Sequence, residues 1–327
     1  MQHCLYLLGA ILLAVYAAKL LVDGGVAISH RLGIPQFIIG AVVIGFGSSM
    51  PELAVNVKAA TAGETGLALG NLLGSNLFNL CFTLALVALI TPLAVGRDSR
   101  VKDLPMHFIA ALMVAVCGNQ LYLDHINYHQ IMLSHGIILL SFFGIYLYYT
   151  ALEVADNSPH KKLLHQSHHK LVEQEHVFSV SKACALMTLG LIGLVIGGEL
   201  IVEQALIIAN NVGMSEHNIG LLIVGPGTSV PELVACLIAA HKRNTDMIIG
   251  NILGSNLFNI FFTLAVTAII APVPLDLALN KVVLMYLLVS LLLIPIVWCS
   301  KEKKIGRPAA LLLLCSYGLY LWIAVNS

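Results

Sequence analysis

Glu52 and Glu232 stand 180 positions apart in apolar surroundings, each closing the same short run: GSSMPEL from Gly47 to Leu53 and GTSVPEL from Gly227 to Leu233. On a helix, Ser48 and Ser49 precede Glu52 by four and three residues and share its face, and Thr228 and Ser229 do the same for Glu232. Pro51 and Pro231 each remove a backbone donor and disturb the preceding turn, which frees carbonyls near Gly45 and Gly225 to face a cavity. Carboxylate, hydroxyl and carbonyl oxygens are the ligands of a hard cation.

A second pair of cores follows about twenty residues on, GNLLGSNLFN from Gly70 to Asn79 and GNILGSNLFN from Gly250 to Asn259. Asn71, Ser75 and Asn79 recur every four residues on one face, as do Asn251, Ser255 and Asn259. Gly70 with Gly74, and Gly250 with Gly254, form the GxxxG spacing that lets another helix approach closely. Ser, Asn and Gly often serve only as packing glue between membrane helices. The paired glutamates point further, because a charge in the middle of a span costs roughly 2.5–3.5 kcal/mol on insertion scales and marks function or pairing. Two carboxylates meeting at one centre would neutralise a divalent cation. Calcium accepts six to eight oxygens in flexible geometry, whereas magnesium demands strict octahedral order. Neither core holds Cys or His, which disfavours a soft metal.

The elements that position these residues follow from composition: 58% hydrophobic and 10% charged residues in 327 is a membrane composition. Apolar stretches of bilayer length fall at 5–28, 36–60, 67–92, 104–121 and 128–150, and again at 181–208, 217–240, 247–271, 280–299 and 307–325. The blocks 40–93 and 220–273 align without a gap, with about half their positions identical. The expected fold is all-α, ten transmembrane helices as two five-helix repeats: residues 1–150, a His-rich linker 151–180, and residues 181–327. Basic residues concentrate in the odd-numbered loops (Arg31; Arg97, Arg100, Lys102; Lys161, Lys162, Lys170, Lys182; Lys242, Arg243; Lys301, Lys303, Lys304, Arg307). That places those loops and the linker in the cytoplasm and both termini outside. Five crossings separate Glu52 from Glu232, so the repeat is inverted, the plan of many secondary transporters.

The paired GxSxPE and GNxxGSNxxN motifs resemble the alpha-repeats of the cation/calcium antiporter superfamily, in particular the sodium/calcium exchangers. The likeness is strong over both blocks and extends to nearly the whole chain through the ten-span plan. It implies calcium/sodium antiport, with Glu52 and Glu232 as calcium ligands and the hydroxyls of Ser48 and Thr228 touching calcium. By the same resemblance Ser49, Ser229, Ser75, Ser255 and the carbonyls of Gly45 and Gly225 serve sodium, and Asn79 and Asn259 line the centre. Calcium and sodium are then the transported partners, the bilayer the other partner, and no cofactor is expected.

This chain departs from that pattern at Asn259, where many exchangers carry an aspartate, so exchange independent of potassium is expected. Phe46 and Pro226 are unusual before the Gly-hydroxyl-Ser turn, and Pro226 should change the helix break in the second half alone. The short central loop lacks large calcium-sensing domains and fits a protein of the bacterial inner membrane. Its histidines, His160, His165, His168, His169 and His176, are expected to sit in a solvated linker, with metal binding or pH sensing as the alternative. Lys19 and Asp23, four apart, read as an intrahelical salt bridge, and Gly24-Gly25 and Gly197-Gly198 as aids to close packing of the first and sixth spans. The seven scattered cysteines read as small buried hydrophobes. No cleaved signal is expected, so the first span stays in place. Calcium/proton exchange and a passive cation channel are the competing functions. An intramembrane hydrolase is disfavoured because HExxH and GxSxG are absent and Glu52 has no His partner in its motif. Nothing indicates nucleic-acid binding.

Overall fold

Backbone in a bilayer must satisfy its own hydrogen bonds, so long apolar runs become helices. A computed structural model describes residues 2–119, 130–156, 179–211 and 225–325. The principal helices are α1 (Gln2–Leu32), α2 (Met50–Ala62), α3 (Thr65–Leu77), α4 (Leu104–Gly118), α5 (Leu133–Asp156), α6 (Val180–Asn211), α7 (Val230–His241), α8 (Thr245–Phe258), α9 (Leu277–Cys299) and α10 (Arg307–Val325). Each expected span has a helix at its position. Among the described residues eight helices are long and apolar enough to cross a membrane, and Gln36–Ser48 with Met50–Ala62, bent by 41°, makes a ninth. α7 is shorter, and residues 212–224 ahead of it lie outside the described part, as do the five linker histidines.

The inversion is visible in α1 and α6, which occupy equivalent places in the two repeats. Residue 3 of α1 meets residue 204 of α6 through a 3.0 Å His3–Gln204 hydrogen bond. Further along, Ala14 meets Gly197, Leu21 meets Gly190, and Gly24 meets Ala183. The pair therefore runs antiparallel. Its contact is built on absent side chains, since a Cβ on Gly24 would stand 2.7 Å from the Ala183 carbonyl oxygen and one on Gly190 2.5 Å from the Leu21 nitrogen. Gly25, Gly197 and Gly198 are also close-packed, a Cβ there standing 2.9, 3.0 and 2.8 Å from Ile39, Ala14 and Pro231 respectively.

Four places differ from the sequence reading. Asp23 pairs with Lys242, at the end of α7, rather than with Lys19; a partner on another helix neutralises it where the bundle is partly closed to water. The fourth span begins earlier than expected, at Ser99. Lys102 is therefore on the helix instead of in a loop, paired with Glu153 of α5 and 3.6 Å from the fully buried Asp103. Cys184, Cys299 and Cys315 are exposed, unlike the buried Cys81, Cys117 and Cys236; a weakly polar thiol on the outer face of a span is at home against lipid. Finally, two antiparallel ladders of two residues each join β1 (Leu93–Ala94) to β4 (Lys304–Ile305) and β2 (Gln130–Ile131) to β3 (Val273–Pro274). They tie the end of the α3 span to the start of α10, and the end of the α8 span to the start of α5.

Near the middle, α8 packs backbone to backbone on the π-helical segment Ile39–Gly45. A Cβ on Gly250 would lie 2.1 Å from the Phe37 carbonyl oxygen, and one on Gly40 2.3 Å from that of Met247. Overpacking costs about 1–3 kcal/mol where side chains can move, and here main chain faces main chain. Gly250→Ala should accordingly lower the thermal melting temperature of the purified protein by several degrees, while Gly318→Ala, in open space, leaves it nearly unchanged. Equal melting temperatures for parent and Gly250→Ala would contradict this contact.

Candidate ion-binding site

Each glutamate sits in the first turn of a helix that starts abruptly. Ser49 (φ −86°, ψ 8°) and Ser229 (φ −93°, ψ 8°) leave helical geometry, and α2 and α7 begin immediately afterwards with Pro51 and Pro231 in the first turn. Proline is tolerated there because its missing N–H had no partner to lose. The helix N-terminus in turn offers a partial positive charge to the carboxylate one residue later. The two breaks are not identical. The Ser49 nitrogen bonds the Gly45 carbonyl four residues back (3.2 Å), whereas that of Ser229 reaches only three back, to Pro226 (3.1 Å), as expected for a break altered by Pro226. Phe46 takes no part in the site and stacks on Phe258 (5.0 Å between centroids).

The folded chain brings both carboxylates into the centre of the bundle, each with 0% exposure. Ser49 Oγ donates to Glu232 Oε1 across the repeat boundary (3.1 Å), and Ser75 Oγ donates to Glu52 Oε1 (3.2 Å). Ser75 and Ser229 hydroxyls are 2.6 Å apart. Ser255 Oγ lies 3.1 Å from the Gly45 carbonyl oxygen and 3.5 Å from Glu232 Oε1. Ser48 Oγ donates to the same Gly45 carbonyl (3.3 Å), which therefore already carries several donors. Thr228 Oγ1 donates to Asn71 Oδ1 at 3.5 Å. Asn259 Nδ2 is 3.5 Å from Ser75 Oγ, and Asn79 Nδ2 donates to Asn256 Oδ1 (3.2 Å). Gly225 opens the short helix Gly225–Gly227 just before Thr228. Asn71 and Asn251 stand one turn away: Asn71 also donates to Asn56 Oδ1 (3.1 Å), and Asn251 Nδ2 lies 3.1 Å from Cys236 Sγ and 3.4 Å from the Glu232 carbonyl oxygen.

Five oxygens here are buried without a donor: Oε2 of Glu52 and of Glu232, and Oδ1 of Asn79, Asn251 and Asn259. Two negative charges out of water carry a desolvation penalty of several kcal/mol each that hydroxyl donors alone do not offset. The arrangement is chemically suited to a hard cation, since the groups left without a donor beside the two carboxylates are oxygens. No group of three or more His, Cys, Asp or Glu side chains with metal-binding geometry occurs among the described residues.

The sodium/calcium exchanger protein profile matches residues 3–152 and 182–326, both halves together. The chain belongs to this family. The inner membrane protein YrbG of Escherichia coli is 31% identical, with 98% of this chain and 95% of YrbG aligned. The sodium/calcium exchanger MaX1 of Methanosarcina acetivorans is 25% identical over 96% of both chains. A solved structure of the sodium-calcium exchanger NCX_Mj, soaked with 2.5 mM Na+ and 1 mM Sr2+, superposes with a TM-score of 0.81 at 30% identity, covering 100% of this chain and 98% of that one. The protein is thus an integral membrane protein of an exchanger family, with a cation antiporter's fold.

Beside the carboxylate cluster, the sequence reading overlooks Asn76 and Asn256, although both stand inside the GSN motif. They are fully buried and reciprocal: Asn76 Nδ2 donates to the Asn256 carbonyl (3.3 Å) and Asn256 Nδ2 to that of Asn76 (3.2 Å). The signal was present in the strict repeat of that asparagine, but the four-residue spacing drew attention to its neighbours. Breaking a buried hydrogen bond costs about 1–3 kcal/mol. Asn76→Ala and Asn256→Ala should each lower the melting temperature, because each removes its own side-chain donor and leaves the partner's buried carbonyl without it. An unchanged melting temperature in both variants would show that the two bonds contribute nothing to stability.

Proposed function

We propose that the protein exchanges calcium for sodium by alternating access, with one central site between the repeats. The observation that carries this reading is the pair of glutamates, one from each half, buried together with one oxygen apiece left without a donor. Calcium is held between Glu52 and Glu232 with help from Ser48 and Thr228. Sodium uses Ser49, Ser75, Ser229, Ser255 and the backbone carbonyls at Gly225 and Gly45, the latter once the Ser48 and Ser255 hydroxyls that donate to it turn away, and Asn79 and Asn259 line the centre. The two occupancies exclude one another because they draw on the same carboxylates. Either ion load cancels the charge that an unloaded centre would carry through a low-dielectric transition, so the loaded protein switches and the unloaded one resists. This differential stabilisation couples the two fluxes. The glycine-lined contact between α1 and α6 and the remaining bundle offers smooth surfaces along which such a switch slides. With Asn259 in place of a third carboxylate, potassium is not required. The setting is the bacterial inner membrane, with both termini outside and the linker cytoplasmic.

The test uses proteoliposomes loaded with sodium and diluted into sodium-free buffer at constant pH, with calcium-45 uptake as the readout. Parent protein should take up calcium only with the sodium gradient, and Glu52→Gln and Glu232→Gln should each reduce uptake by more than about tenfold, the equivalent of 1.4 kcal/mol of lost ion binding. Uptake driven by a pH gradient alone would replace sodium by protons as the counter-ion. Currents far above transporter turnover would indicate a channel.

A further inference from the structure

Behind the carboxylates runs a chain of side-chain amides whose directions follow from hydrogen-bond polarity. A backbone carbonyl only accepts, so Asn76 and Asn256, each facing the other's carbonyl, must turn their nitrogens toward it. Their Oδ1 atoms then face the next layer, and these too only accept. Asn259 Nδ2 meets Asn76 Oδ1 at 3.0 Å, and Asn79 Nδ2 meets Asn256 Oδ1 at 3.2 Å. Asn79 and Asn259 therefore each spend an N–H on this inner layer and are left with Oδ1, which in both is buried without a donor.

The inner amides have one further N–H each, and a single pair of side chains receives both. Asn76 Nδ2 donates to the Tyr286 hydroxyl (3.2 Å), and Asn256 Nδ2 to His107 Nε2 (3.3 Å). The Tyr286 hydroxyl lies 3.2 Å from the same Nε2, so the two donors share its single lone pair. With Nε2 facing the Asn256 N–H as an acceptor, the ring proton falls on Nδ1, which is buried and has no hydrogen-bond partner. His107 and Tyr286 have 0% exposure, so water cannot replace either. Neither is a relic of the repeat: at the offset of 180 their counterparts are Leu287 and Met106, which form no such hydrogen bonds. One acceptor pair serves both halves.

We propose that His107 and Tyr286 are positioning residues that fix which end of Asn79 and Asn259 faces the bound cation, and so set cation affinity without touching the ion. An amide turned the other way would present N–H to a cation, which repels it. The inference rests on the reading that the cation sits between Glu52 and Glu232.

The experiment measures the calcium dependence of sodium-driven uptake for the parent, Tyr286→Phe, His107→Phe and His107→Gln. Losing one hydrogen bond from the chain should raise the half-saturating calcium concentration about fivefold or more in both Phe variants, with the maximal rate within about twofold of the parent. His107→Gln, whose Oε1 offers an acceptor again, should restore half-saturation to within about twofold. Unchanged half-saturation in both Phe variants would overturn the inference, as would a fall in maximal rate alone that His107→Gln does not restore. Tyr286→Phe keeps the test decisive if His107→Phe does not fold. Absence of calcium uptake by the parent would overturn the exchange reading and this inference together, whereas an active parent with unshifted variants sinks this inference alone.

Discussion

Two carboxylates held in the interior of a membrane bundle must be compensated, and much of this structure is arranged around that requirement. The first compensation is local: both glutamates sit at helix N-termini created by a serine break and a proline start. The second is a shell of hydroxyls, supplied to Glu232 by Ser49 of the opposite repeat and to Glu52 by Ser75 of its own. Neither supplies the full countercharge, and the oxygens still without a donor are those best placed to take a cation. An ion-binding centre of this kind is electrostatically unfinished without its ion, which is how a transporter can make movement depend on cargo.

Precision at such a centre depends on how closely the repeats meet. Glycines at positions 40 and 250 bring main chain against main chain, and π-helical segments at Ile39–Gly45, Phe78–Thr83 and Asn259–Leu264 adjoin the motif residues. A π turn rotates the residues that follow it relative to an ideal helix and is frequent at functional sites. The Asn76–Asn256 exchange then locks the two GSN helices to each other, and the amide chain carries that alignment to the Oδ1 atoms of Asn79 and Asn259. Rigid backbone contact and directional hydrogen bonds thus do complementary jobs: one fixes separation, the other fixes polarity.

Much of this was legible in the sequence. A repeat with identical polar residues at one fixed offset, Glu52 and Glu232 among hydroxyls, and apolar runs of bilayer length lead directly to the fold class and the centre. Position-independent chemistry carries such inferences, because an acid in a span is costly wherever it lies. What escaped depends on three-dimensional pairing. Lys102 reads as a loop cation until Glu153 and Asp103 are seen beside it. Asp23 reads as the partner of Lys19 until Lys242 arrives from a distant helix. His107 and Tyr286 carry no motif and break the repeat, so nothing in spacing could bring them together, and the Pro226 break was readable only as a difference, without its geometry.

The central claim is that one cation binds between Glu52 and Glu232 and that sodium competes for the same groups. Equilibrium dialysis of calcium-45 against purified protein, with and without sodium, tests it without any assumption about transport. The account predicts one calcium per chain, displaced competitively as sodium is raised, and lost in Glu52→Gln and in Glu232→Gln. Calcium binding that persists in both variants, or that sodium does not displace, would contradict it.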